Sequence, residues 1–179
     1  SFLHCRPVMK IAFVSFTCAR DANLVPLWAA AVLRLAPDAL LVCAVDKADA
    51  AMALPRKCLR VVTTFDRRGN LNGIPAVQGI LCTLAAVGEE LGADVVVKMD
   101  CDTVLTGASW LRWLEEVDFL GFEGGAPLTA TGICYAIRTA AARLLADAVQ
   151  PWRWGTTGKF PEDQTIFSLA LLHTRATLV

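Results

Sequence analysis

Over its first hundred residues the chain alternates apolar, β-type runs with stretches of helical pattern, and this alternation limits the possible folds more than any other feature. Residues 10–17 (KIAFVSFT), 39–46 (ALLVCAVD), 59–65 (LRVVTTF) and 94–99 (DVVVKM) are rich in β-branched and aromatic side chains. They lack the polar alternation of a sheet with one wet face, so they read as strands buried on both sides. Between them, 23–35 and 74–92 are Ala/Leu-rich at helical spacing. Pro37 ends the first, and Pro75 is tolerated in the first turn of the second. A short helix fits 49–54, before Pro55. Beyond Met99, residues 109–116 read as a helix with Trp110 and Trp113 on one apolar side. Short strands fit 119–122 and 133–137, and helices fit 139–149 and 161–173. The segments 67–73 (RRGNLNG) and 151–161 (PWRWGTTGKFP) read as loops. The expected fold is an α/β sandwich with a mostly parallel central sheet flanked by helices.

The length of 179 residues fits one domain, with no internal repeat or boundary. MKIAFVSF from Met9 looks like a natural start, so 1–8 is expected to be non-native or upstream sequence and 9–179 the domain. Apolar residues make up 55% of the chain. The longest apolar stretches are interrupted by Arg34, Asp38, Asp46 and Lys98, and none reaches the roughly 18 uninterrupted residues of a spanning helix. No transmembrane segment is expected, and the apolarity fits strands covered on both faces. Net charge is +0, which argues against a nucleic-acid surface. Phosphate recognition must then come from a local site. The seven cysteines are odd in number, with no CxxC or Cys/His cluster. They read as reduced core thiols of a cytoplasmic protein.

The fourth apolar run ends in Asp100-Cys101-Asp102. Two carboxylates this close repel, and each is costly to desolvate. At a strand end, residues two apart can reach one site. Carboxylate and phosphate oxygens suit Mg²⁺ or Mn²⁺, which commonly bind through one or two carboxylates plus a diphosphate. A pair of exposed turn carboxylates is the plain alternative. Cys101, between them, is expected to point into the core.

With these residues in view, ADVVVKMDCDTVL resembles the DxD segment of GT-A fold (Rossmann-like) glycosyltransferases, which use nucleotide-diphosphate sugars. RRGNLNGIPAVQGI, LTATGICYAIRTAAARLL and FPEDQTIFSLAL are similar to three further segments of that group, in the same order. The last two look most like inverting β-1,3-glycosyltransferase-type enzymes. Asp-Gln at 163–164 also resembles some retaining members, so the stereochemical outcome stays open. The resemblance implies that Thr17, Arg20 and Asp46 meet the base and ribose, with Asp46 able to accept a uracil N3–H. It implies Arg68 and Asn70 near the ribose or diphosphate, Asp100 near the ribose or metal, and Asp102 as direct ligand of Mn²⁺ or Mg²⁺. Asp163 would be the general base, with Glu162 in reserve, although acidic residues at a helix start have a structural explanation of their own. A C-terminal His is a metal ligand in several such families, which makes His173 a third candidate. The other reading of His173 is a helix-end residue. Trp152 and Trp154 either form an acceptor platform or staple their loop to the core.

The implied function is metal-dependent sugar transfer from a nucleotide-diphosphate donor, a UDP-sugar by family habit, to a carbohydrate, lipid or protein hydroxyl. Two alternatives stand beside it. One is a GT-A-like domain that binds a nucleotide sugar without transfer. The other is a haloacid-dehalogenase-like phosphatase, whose Asp-x-Asp-x-Thr motif fits less well because Thr103 directly follows Asp102 and three strands precede the motif.

Overall fold

The computed structural model describes residues 9–63, 65, 73–123, 130–149 and 162–179. Among these, seven strands form one sheet: β1 (Ile11–Thr17), β2 (Leu40–Val45), β3 (Cys58–Val62), β4 (Val95–Met99), β5 (Phe119–Glu123), β6 (Ala130–Arg138) and β7 (Ala176–Leu178). Their order across the sheet is β3-β2-β1-β4-β6-β5-β7. β6 runs antiparallel to β4 and β5, and every other pairing is parallel. The expected mostly parallel sheet is therefore present. Helices α1 (Val25–Leu35), α2 (Gly73–Leu91), α3 (Thr139–Ala148) and α4 (Glu162–His173) cover it.

The sheet has a core on each face, as its uninterrupted apolar strands require. Ala12, Val14, Phe16, Val96 and Tyr135 pack with α2, α3 and α4. Phe13, Val95, Val97 and Met99 pack on the other side with Trp28 of α1 and with Trp110 and Leu114. These last two belong to a 3-10 helix, Ser109–Glu115, where the sequence suggested a helix. Trp110 is buried at 8% exposure, but Trp113 is 37% exposed and lies beneath the Arg112 guanidinium, so the expected paired burial of the two indoles does not occur. Leu114 takes the second buried place.

Contrary to the sequence expectation, which counted only uninterrupted apolar residues, α2 is long and apolar enough to cross a membrane by length and composition. Its buried residues, Ile74, Val77, Ile80, Leu81 and Leu84 among them, belong to the core against the sheet. Gly92 ends this helix with a φ of 60°. The Gly92 N–H donates to Glu89 O and the Ala93 N–H to Gly88 O, the paired bonds of a Schellman cap. That cap turns the chain straight into β4.

β1 is flanked by β2 on one side and by β4 on the other, so the crossovers leave β1 in opposite directions. In open α/β sheets such a switch point opens a crevice beyond the carboxyl ends of the strands, and ligands bind there.

Candidate functional site

The switch point falls between the end of β1, at Thr17, and the end of β4, at Met99. β4 stops one residue before the carboxylate pair. Asp100, Cys101 and Asp102 lie in a turn that the Thr103 N–H closes by donating to Asp100 O at 3.0 Å. The two carboxylates are thus not presented by strand alternation. Cys101 faces inward, as expected, with its Sγ 3.8 Å from Thr17 Oγ1. Burial pushes the Cys101 thiol up, and it pushes Cys134, across the sheet from Met99, to about 12. Neither thiol is a thiolate ligand at neutral pH.

The two aspartates have unlike surroundings. Asp102 is exposed. Asp100 is 30% exposed and its Oδ1 lies 2.8 Å from Lys98 Nζ, whose side chain is only 3% exposed. Lys98 shares the Val96 side of β4, with its ammonium 6.0 Å from the centre of the Tyr135 ring. Sequence reasoning noted Lys98 only as an interruption of an apolar run. The signal was that interruption itself, since a charge in a doubly buried strand needs a partner.

Thr17 ends β1 at 3% exposure, with its side chain buried against Cys101. Asp46 follows β2 directly and is half-buried. The buried Thr63 hydroxyl lies 3.1 Å from Asp46 Oδ1 and 3.2 Å from Val45 O. Arg20 sits on a 3-10 turn just after β1, 89% exposed, with its Nε 3.6 Å from Asp21 Oδ1. Thr17, Asp46, Asp100 and Asp102 therefore gather at the carboxyl-end rim, with Arg20 next to it.

α4 opens with Glu162 and Asp163, whose side chains lie outside the described residues, as do Arg68, Asn70, Trp152 and Trp154. Two residues, Thr174 and Arg175, link α4 to β7, so the helix runs antiparallel to the strand. Its start lies toward the rim and its end toward the opposite edge, about 18 Å away along the helix. His173, exposed at the far end, is not brought to Asp100 and Asp102. Its neighbour Arg175 instead forms a bidentate pair with Asp118, at the start of β5. The placement of His173 as a metal ligand is thereby corrected. The order of the C-terminal elements sends it to the other edge.

No three His, Cys, Asp or Glu residues group as a metal site among the described residues. The donors at the rim are hard carboxylate oxygens, one set exposed on Asp102 and one on Asp100 partly engaged by Lys98. That set fits a cation such as Mg²⁺ or Mn²⁺ that completes its shell with diphosphate oxygens and water.

No family model matches the sequence, and no curated protein is similar to it. Among 130 matching chains of solved structures is the galactosyltransferase LgtC, crystallised with donor and acceptor sugar analogs. It is 15% identical, the match covers 96% of this chain and 73% of that one, and the TM-score is 0.55. At this identity the likeness speaks to architecture, and the architecture of this chain is the GT-A glycosyltransferase fold.

Proposed function

We propose that the protein is a metal-dependent glycosyltransferase that moves a sugar from a nucleotide-diphosphate donor, a UDP-sugar in the first instance, to a hydroxyl acceptor. The observation that carries this reading is the Asp100–Asp102 turn at the carboxyl end of β4, beside the β1/β4 switch point of a GT-A sheet. LgtC binds donor and acceptor sugar analogs on the same fold, which supports the same class of ligands here.

In this reading Asp46, steadied by Thr63, accepts the N3–H of the base, and Arg20 lies beside the ribose. Arg68 and Asn70 belong to the same donor site, near the ribose or diphosphate. Asp102 would hold the cation and Asp100 would line the ribose side. Mn²⁺ or Mg²⁺ bound there would offset the charge that collects on the departing diphosphate. Asp163, with Glu162 as reserve, takes the proton of the acceptor hydroxyl as its oxygen bonds to the anomeric carbon and the bond from that carbon to the diphosphate oxygen breaks. The phosphatase alternative needs its motif on the first strand of a different core, whereas here it follows β4 of a GT-A sheet.

The test is a thermal-shift screen of nucleotide sugars with and without Mn²⁺, on the wild type and on Asp102→Ala. The expected result is a Mn²⁺-dependent rise in Tm with at least one nucleotide diphosphate, lost in the variant. A wild type that shows no metal-dependent shift with any nucleotide overturns the proposal. Metal-dependent binding without hydrolysis or transfer to any acceptor would instead leave a nucleotide-sugar-binding domain.

A further inference from the structure

Lys98 is the one lysine or arginine that is buried among the described residues, and its ammonium is paired with one of the two rim aspartates. We infer that Lys98 is a positioning residue that withdraws Asp100 from the cation, so that the site binds its metal weakly alone and tightly together with a diphosphate. This inference rests on the proposed nucleotide-diphosphate site.

Lys98 faces Tyr135 across the β4–β6 ladder and Val14 across the β1–β4 ladder, so its stem is fixed by neighbours on both sides. Its Nζ lies 2.8 Å from Asp100 Oδ1. A divalent cation on the remaining Asp100 oxygen would sit within a few ångströms of this ammonium. Solvent screens a buried charge poorly, so the two cations would repel strongly there. Asp102, two residues on, is exposed, and among the described residues no lysine or arginine is paired with it. One carboxylate is a weak site for Mn²⁺ or Mg²⁺, which then depends on phosphate oxygens to fill its shell. Metal and diphosphate therefore each raise the affinity of the other, and by linkage they do so by the same factor.

The experiment measures Mn²⁺ binding to the full chain by calorimetry, with and without UDP, for wild type, Lys98→Met and Lys98→Met/Asp100→Asn. Removing the ammonium frees Asp100 as a second ligand. Lys98→Met is expected to tighten Mn²⁺ binding without nucleotide on the order of tenfold, and to shrink the gain that UDP adds. The double variant, which again lacks a second carboxylate, is expected to return to wild-type affinity. A merely structural lysine would produce no such gain of affinity. Should Lys98→Met fail to fold, Lys98→Gln keeps a donor to Asp100 without the charge and carries the same expectation. An unchanged or weaker Mn²⁺ affinity in the single variant, beside a wild type that binds Mn²⁺ with UDP, overturns this inference alone. A wild type that binds no Mn²⁺ even with UDP overturns the glycosyltransferase reading and the inference with it.

Discussion

Thr63 shows how one side chain outside any sequence motif can decide whether a candidate ligand is held. It is 5% exposed just beyond β3, and its hydroxyl reaches both Val45 O and Asp46 Oδ1. Thr63→Val keeps the shape but removes the donor, leaving the half-buried Asp46 carboxylate free to rotate. The expected outcome is a folded protein whose affinity for UDP with Mn²⁺ falls several-fold, about 1 kcal/mol, the usual worth of such a hydrogen bond. Calorimetry checks this, and an affinity equal to wild type removes Asp46 from the proposed base site. Sequence reading found Asp46 because it follows an apolar run. It could not find Thr63, because the contact joins adjacent parallel strands 17 residues apart in sequence. Lys98 was visible as a charge out of place, but its partner emerged only once β4 was known to end at Met99. His173 was misplaced for the converse reason, since a residue type says nothing of the edge to which its helix delivers it.

Among the elements, α2 and α3 meet where Gly88 faces Thr139. A Cβ on Gly88 would stand 2.3 Å from Thr139 Oγ1. Thr139 cannot readily yield, because that hydroxyl donates to Ala93 O at 2.6 Å, beside the cap that leads into β4. The Glu89–Arg143 pair bridges the same two helices at 2.8 Å, but it is well exposed and contributes little. Gly88→Val is therefore expected to push the helices apart and cost roughly 1–3 kcal/mol, in the range of core overpacking. Urea unfolding should show a lower midpoint with an unchanged m-value, and an unchanged midpoint would mean that the helix contact is adaptable. The sequence made most elements legible because strands buried on both faces leave long apolar runs and helices leave a different period. It did not reveal β7, three residues of intermediate burial directly after α4, which are too short to carry a period. It marked 109–116 as a helix but not which kind, since over seven residues the α and 3-10 periods are hard to separate.

For the whole molecule, the two ends of the sheet do different work. The carboxyl end gathers Asp46, Asp100 and Asp102 at a switch point, while the amino end is fastened by ion pairs. There Asp118, at the start of β5, accepts from Arg175 Nε at 3.0 Å and Nη2 at 2.9 Å, and from the Arg175 backbone N–H at 3.1 Å. Arg138, at the end of β6, adds a longer contact of 3.9 Å. The Asp118–Arg175 pair joins β5 to β7, which among the described residues pairs with no other strand. The Arg175 guanidinium holds the Asp118 carboxyl below the usual carboxylate range. A carboxylate whose folded pKa is depressed contributes stability that is present above its unfolded pKa of about 3.9 and is lost as pH falls through the folded value. Asp118→Asn should therefore lower Tm at pH 7, and the gap to wild type should close as pH drops below about 4. Thermal unfolding of both proteins from pH 7 to about 3 tests this, at low salt so that the exposed guanidinium is least screened. A gap that stays constant with pH would assign the loss to packing instead of charge. Because Asp118 lies at the edge opposite the proposed site, Mn²⁺-dependent nucleotide binding by the folded variant at pH 7 should match wild type. A parallel loss of binding would mean that the two edges are coupled through β4 and β6.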